Sequence, residues 1–162
     1  MVPTLQVRDV LLVDEIAYRL HPPAPGDVAV FTPPVDSSGE EFVKRVIGIP
    51  GDRIVILNGT VYRNGIALRE PYENQPPRYS LVIRQYGIYV DGRALDPKDA
   101  NVPPRPAWQA PDRIPKGCYF VLGDNRNYSD DSHVWGFAQA RGFVGRAFLI
   151  WWPLDRLRIL ER

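Results

Sequence analysis

The chain of 162 residues is poor in several residue types on which other protein classes depend. Its one cysteine, Cys118, cannot form an intramolecular disulfide, and its two histidines offer no cluster of metal ligands. The longest apolar run, 147–154, contains Pro153 and is too short for a transmembrane helix, which needs about 20 residues. Twenty basic and 19 acidic residues give a net charge of +1, without the basic excess of a nucleic-acid-binding protein. We therefore predict no metal, no other cofactor and no nucleic-acid partner.

Proline, in contrast, is abundant, with 17 residues, and 13 glycines accompany it. Both residues interrupt helices, and no stretch of about 12 residues has a convincing 3.6-residue apolar period. The apolar fraction of 44% and the chain length are those of one folded domain with a sizeable core. We therefore predict a single all-β domain over residues 1–162.

Strand patterns recur along the chain, each rich in β-branched or bulky apolar residues and followed by turn-forming residues. Asn58-Gly59 and Asn64-Gly65 are strong signals for two-residue hairpin turns. The segment 14–20 is compatible with one or two helical turns. The predicted strands are 10–13, 27–31, 41–47, 53–57, 60–62, 80–89, 118–122 and 143–152.

The composition changes between Arg69 and Lys116, where nine of the 17 prolines lie. Within this stretch, 79–95 looks like a hairpin with Asp91-Gly92 as a turn. We interpret 69–116 as an insertion or small subdomain on a β core made by the flanking segments. The alternative is one continuous sheet with long loops.

The predicted strand 41–47 carries two adjacent cations. Because strand side chains alternate, Lys44 and Arg45 lie on opposite faces, each among apolar neighbours, and the pattern does not decide which face is buried. Burial of a lysine favours its neutral amine. To act as a base near pH 7, its pKa must fall by about 3 units from roughly 10.4. The alternative is a solvated lysine on an edge strand.

Eleven mostly polar residues, 123–133, separate two apolar segments. Such a stretch can be a turn held by asparagine, aspartate and serine side chains. Hydroxyls and carboxylates at this density can equally orient a neighbouring base. The local pattern leaves both interpretations open.

Four segments of the chain resemble the signature motifs of type I signal peptidases. The clearest are 44–52 (KRVIGIPGD) and 123–126 (GDNR), while 26–31 (GDVAVF) looks like a third motif and 1–5 (MVPTL) like the end of a fourth. Their order and spacing match, and only the proline-rich stretch has no counterpart. The resemblance implies antiparallel sheets of the signal-peptidase type, related to those of self-cleaving repressor proteases.

The resemblance also implies the chemistry of a serine endopeptidase that removes signal peptides from exported preproteins after Ala-X-Ala, without a cofactor. Its dyad of serine and lysine forms an acyl-enzyme that water then hydrolyses. By position, Lys44 matches the general base, Ser129 the hydroxyl that orients it, and Asp131 a supporting carboxylate. Family members bind the signal peptide as an added strand, with small residues in two shallow pockets. The residues that would line these pockets are Met1, Leu5, Val30, Phe42 and Val43.

The sequence departs from the family at several positions. The family's nucleophilic serine stands immediately before the methionine that corresponds to Met1, so we expect the serine and the membrane anchor to lie outside the printed sequence. The chain as printed is then expected to be inactive, since loss of one member of a catalytic set costs about 10⁴-fold. His133 stands where the family more often has an arginine paired with Asp131, and we expect a loop histidine without a catalytic task. Asn127-Tyr128 replaces the frequent Asp-Asn.

The resemblance implies partners and a location as well: preprotein signal peptides and the membrane surface, at the extracytoplasmic face of the cytoplasmic or thylakoid membrane. We expect Trp151-Trp152 to be core residues, the alternative being an apolar surface that faces the membrane. Two other functions stay open. One is a non-catalytic β-module that binds extended peptides, and the other is a self-cleaving repressor-type protease, for which the sequence has no DNA-binding domain and no internal cleavage site.

Overall fold

The computed structural model describes residues 1–34, 39–84, 87–95 and 112–162. Two short α-helices, α1 (Ala17–Leu20) and α2 (Ser132–Trp135), and three 3-10 helices at Arg126–Tyr128, Ala140–Gly142 and Leu154–Arg156 accompany the strands. The strands are β1 (Val10–Asp14), β2 (Val28–Phe31), β3 (Phe42–Gly48), β4 (Ile54–Leu57), β5 (Thr60–Arg63), β6 (Ile66–Ala67), β7 (Leu81–Arg84), β8 (Gly87–Val90), β9 (Arg93–Ala94), β10 (Cys118–Leu122), β11 (Ala138–Gln139), β12 (Phe143–Trp152) and β13 (Arg158–Ile159). The predicted all-β class is confirmed.

The strands form two sheets in which every pairing is antiparallel. The first sheet has the order β1-β12-β2-β3-β10-β11, with β13 paired to β12 at one end. The second has the order β6-β5-β4-β7-β8-β9. In the second sheet β4 lies at the centre, with β5 and β6 on one side and β7, β8 and β9 on the other, whereas in the first sheet the late strand β12 lies between β1 and β2.

Three tight turns in the second sheet follow the sequence signals. Asn58-Gly59, Asn64-Gly65 and Asp91-Gly92 all have positive φ at both residues, between 49° and 83°. Two-residue turns of this kind match the twist of the strands that they join and favour asparagine or aspartate followed by glycine. These three predicted turns are confirmed.

The stretch 80–89, predicted as one strand, forms two strands, β7 and β8, that pair with each other. Gln85 and Tyr86, which lie outside the described residues, are not residue types that favour a two-residue turn, so no local signal predicted a break between the two strands. The second sheet starts at Ile54, before the predicted boundary at Arg69, and residues 96–111 lie outside the described part of the chain. The insertion therefore stays a prediction.

Strand β10 is buried on both faces and divides the core. Cys118, Phe120 and Leu122 pack into a cluster between the two sheets, together with residues of β4, β5, β7 and β8. Tyr119 and Val121, which alternate with them, pack into a second cluster on the opposite face. This burial on both faces places the loop that follows β10, residues 123–131, against the interior of the molecule.

The expectation that Trp151 and Trp152 are core residues is wrong. Their exposed fractions are 53% and 52%, whereas Ile150, immediately before them, is fully buried. Strand β12 continues two residues beyond the last position at which its side chains enter the core. Further large apolar side chains are exposed in and around the same end of the sheet, at Val10, Leu12, Leu154, Leu157 and Ile159. No helix in the described part of the chain is long and apolar enough to cross a membrane.

Candidate active site

Lys44 lies in β3, and its side chain meets the loop that follows β10. Its Nζ donates a hydrogen bond to Oγ of Ser129 at 3.0 Å and lies 5.5 Å from the centre of the Phe42 ring. Burial lowers the pKa of the Lys44 amine, and the carboxylates of Asp131 and Asp130 act in the opposite direction. The structure thus brings together two predicted residues that are 85 positions apart.

Ser129 is held against Lys44 by close packing of its loop. It is nearly buried, and a Cβ added at Gly123 would lie 2.1 Å from its Oγ. A side chain at position 123 would therefore displace the Ser129 hydroxyl. Glycine is required at this point of the GDNR motif because the loop folds back directly over its own first residue.

Asp131 is completely buried and fixes the end of the same loop. One carboxylate oxygen accepts the backbone N–H of Gly123 at 2.9 Å, and the other accepts the backbone N–H of His133 at 3.1 Å. Nδ1 of His133 lies 2.7 Å from that second oxygen, and the His133 ring stacks on Tyr79 at 4.4 Å between centres. His133, which we expected in a loop, thus lies in α2 and contacts Asp131. That it has no catalytic task stays a prediction.

Arg45, the neighbour of Lys44, points to the opposite face and is buried with a partner. Its guanidinium makes two hydrogen bonds of 3.0 Å to the carboxylate of Asp124 and donates to the carbonyls of Gly26 and Glu161, both at 2.9 Å. Asp124 also accepts a hydrogen bond from the hydroxyl of Thr4. One buried ion pair therefore connects β3, the 123–131 loop and the N-terminal segment.

Sequence reasoning missed a second buried ion pair in the same loop. Arg126 makes two hydrogen bonds to Glu70, at 2.7 and 2.9 Å, and donates to the carbonyl of Gly123 at 3.1 Å. Glu73 lies 3.6 Å from the same guanidinium. The arginine belonged to a recognised motif, but nothing in the local sequence marked Glu70, 56 residues away, as its partner.

The Met1 amino group lies within electrostatic reach of Lys44. Burial lowers its pKa, the positive charge of Lys44 lowers it further, and Asp124 and Asp131 act in the opposite direction. Met1 also packs in the same apolar cluster as Val43, the residue that precedes Lys44 in β3.

The five residues predicted to bind substrate fall into two groups. Met1, Leu5, Val30 and Val43 belong to one apolar cluster, in which Leu5 and Val30 are nearly buried. Phe42 packs into the cluster on the other face of the sheet, beside Lys44. The structure brings four of the five together. Within the described ranges, no group of three or more histidine, cysteine, aspartate or glutamate side chains is placed to bind a metal ion.

Comparison with known proteins gives a consistent result over nearly the whole chain. Residues 1–152 match the family described as "Signal peptidase, peptidase S26". The chain is 38% identical over 162 residues to "Probable signal peptidase I-1" of Synechocystis, covering 96% of the chain and 68% of that protein. It is 37% identical over 163 residues to "Signal peptidase I" of Leptolyngbya laminosa, covering 97% of the chain and 66% of that protein. The chain thus spans about two thirds of the length of each of these relatives.

A solved structure is similar as well. The crystal structure of a signal peptidase I from Enterococcus faecalis matches with a TM-score of 0.52 at 29% sequence identity. The match covers 76% of this chain and 95% of that one.

Proposed function

Because the chain belongs to the signal peptidase family, peptidase S26, we propose that it is the catalytic part of a type I signal peptidase that works through a serine and lysine dyad. Its substrates are signal peptides of exported preproteins, and its site of action is the extracytoplasmic face of a membrane. The observation that carries this proposal is the half-buried amine of Lys44 held by the Ser129 hydroxyl.

The proposed reaction has two halves. The serine hydroxyl attacks the carbonyl carbon of the scissile bond while the neutral amine of Lys44 takes its proton, and the proton then goes to the departing amine of the mature protein. Water next attacks the acyl-enzyme, again losing its proton to Lys44, which passes it to the departing serine oxygen as the signal peptide leaves with a free carboxylate. Ser129 orients the amine through its hydrogen bond, and Asp131 holds the loop that carries Ser129.

We place the nucleophile on the residue that precedes Met1. Met1 packs in the same apolar cluster as Val43, the residue that precedes Lys44 in β3, which supports a serine hydroxyl near the amine at this point. The experiments below use the chain preceded by Ser-Gly-Ser, which supplies a hydroxyl at this point.

We propose that the cluster of Met1, Leu5, Val30 and Val43 forms the pockets for the small side chains of the signal peptide, whereas Phe42 packs beside the lysine on the other face of the sheet. A peptide that binds as an added strand presents alternate side chains to the same surface. Two pockets closed by bulky apolar side chains would accept alanine at the first and third positions before the cut and leave the second position free.

This specificity can be tested with three peptides and the chain preceded by Ser-Gly-Ser. Changing the alanine directly before the cut to leucine is expected to lower kcat/KM about 100-fold, because the extra methylenes do not fit the pocket. The same change one position earlier is the matched control and should have little effect. Mass spectrometry of the products locates the cut. Equal loss from both changes, or cleavage elsewhere, contradicts the proposal.

We propose that the exposed apolar end of the first sheet contacts lipid. Tryptophan favours the membrane interface, and Trp151 and Trp152 lie among other exposed apolar side chains at this end of the sheet.

The variant W151S/W152S is expected to lower the partition coefficient for lipid vesicles about 10-fold, since two indoles that would be buried in the lipid-bound state are removed. The control L57S/I66S removes exposed apolar side chains from the second sheet. Sedimentation with vesicles measures both, and an equal loss from the two variants contradicts the proposal.

A further inference from the structure

The N-terminal segment, residues 1–9, is tied at two points to arginines of the C-terminal segment, residues 154–162. We propose that Arg156 and Arg158 are positioning residues: they hold residues 1–9, and with them the residue that precedes Met1, beside Lys44. This inference rests on the proposed function, because it concerns the placement of the proposed nucleophile.

The first tie joins Arg156 to Asp9. The guanidinium makes two hydrogen bonds to the carboxylate, at 2.7 and 2.8 Å, and the same carboxylate accepts the backbone N–H of Gln6 at 2.8 Å. The hydrogen bonds from Arg156 lower the pKa of Asp9, although burial opposes them. A two-point contact between arginine and carboxylate fixes direction as well as distance.

The second tie is at the Thr4 carbonyl. This oxygen accepts a hydrogen bond from Arg158 and a longer one, of 3.4 Å, from Arg156. Both arginines stand on ordered elements, since Arg156 ends a 3-10 helix and Arg158 lies in β13, which pairs with β12. The ties therefore run from the sheet to the segment that precedes β1.

The other side of the segment is held by the active-site loop. The Thr4 hydroxyl donates to Asp124, and the Leu5 backbone N–H donates to the Met1 carbonyl at 3.0 Å. Leu5 packs into the apolar cluster that Leu160 also contacts. The two arginines thus complete a ring of contacts around Thr4, three residues from Met1.

The two contacts differ in exposure. The Asp9 side chain is 3% exposed and the Arg156 side chain 22%, so loss of this pair should also cost some stability, whereas the exposed Arg158 should contribute only about 0–1 kcal/mol. A displacement of about 1 Å at a nucleophile can lower a rate about 100-fold. A positioning role therefore predicts a loss of rate in the fully folded variant.

The test compares R156Q/R158Q with R19Q/R141Q, in which two other exposed arginines are changed, in the chain preceded by Ser-Gly-Ser. The first variant should lower kcat about 10-fold with KM within about twofold, and the control should change neither. R19Q/R141Q should keep the urea midpoint of the parent, and R156Q/R158Q, whose midpoint should fall, is assayed where urea unfolding shows it to be fully folded. R156D should impair kcat further, and the exchange D9R/R156D should restore part of it.

A second readout needs no catalysis. Met1 is the single methionine of the printed chain, so a ¹³C label on methionine methyl groups gives one signal from the end of the segment. In R156Q/R158Q this signal should narrow and move towards the position of an unfolded methionine, whereas R19Q/R141Q should leave it unchanged. If no form of the protein cleaves peptide, the signal still tests the ties separately from the proposed function. An unchanged signal, or an unchanged kcat in an active enzyme, overturns the inference.

Discussion

Replacing Lys44 with methionine, in the chain preceded by Ser-Gly-Ser, is expected to lower the rate of acyl-enzyme formation about 10⁴-fold or more. Methionine has nearly the length of lysine and suits a half-buried site, but its thioether cannot take the serine proton. The fold should survive, because the change removes a desolvated amine whose pKa burial already lowers. Single-turnover cleavage of an Ala-X-Ala peptide measures the rate, and urea unfolding checks the fold.

Two further variants sharpen this result. Lys44→Arg should be equally inactive, because a guanidinium stays protonated at any working pH. Lys116→Met, which changes an exposed lysine, should retain the parent rate. A folded Lys44→Met enzyme that cleaves at the parent rate contradicts the dyad. If the parent with its added serine binds the peptide but never cleaves it, the peptide-binding module is the better description.

The pH profile of the parent follows from the direction of the Lys44 shift. Only the neutral amine is a base, so the rate should rise with pH as the ammonium loses its proton. Because burial lowers the pKa of Lys44, the midpoint of this rise should lie below the ordinary lysine value of about 10.4.

Replacing Arg126 with methionine is expected to lower the free energy of unfolding by about 3–5 kcal/mol. The guanidinium is completely buried, the Glu70 side chain is 4% exposed, and two hydrogen bonds join them. Methionine would leave the Glu70 carboxylate buried without its partner. Urea unfolding measures the loss, which corresponds to a decrease in Tm of roughly 10 °C in a chain of this size.

Two controls separate this burial effect from a general effect of removing arginine. Arg53→Met breaks an exposed ion pair with Asp112, at 3.5 Å, and should cost at most about 1 kcal/mol. R126M/E70L removes both buried charges and should recover much of the loss. Equal losses in Arg126→Met and Arg53→Met contradict the explanation.

The features that the sequence predicted correctly are those that local chemistry decides. Asn58-Gly59 and Asn64-Gly65 form turns because few other residue pairs tolerate positive φ at both positions. The strands were visible as apolar β-branched runs, but the split of 80–89 into two strands was not. Where the local turn chemistry was absent, the prediction failed.

Local sequence patterns did not predict which distant side chains form pairs. Alternation in β3 left open whether Lys44 or Arg45 was buried, and the structure buries Arg45 with Asp124, 79 residues away, while Lys44 stays half-buried. The motif resemblance supplied the partner of Lys44, but no motif supplied Glu70 as the partner of Arg126. Trp151 is exposed because β12 extends beyond the part of the sheet that other residues cover. The amino-acid composition does not show where that part ends.

The position of β12 in the first sheet has a consequence for biosynthesis. Both flanking strands leave the ribosome more than a hundred residues before β12 does, on the order of ten seconds earlier at ordinary translation speeds. Until then β1 lacks its partner and β2 has one unpaired edge, whereas all strands of the second sheet precede β10 in the chain and can pair during synthesis. We therefore expect the second sheet to fold first and the first sheet to close only after translation of β12, so that a nascent enzyme stays inactive until β12 has been made.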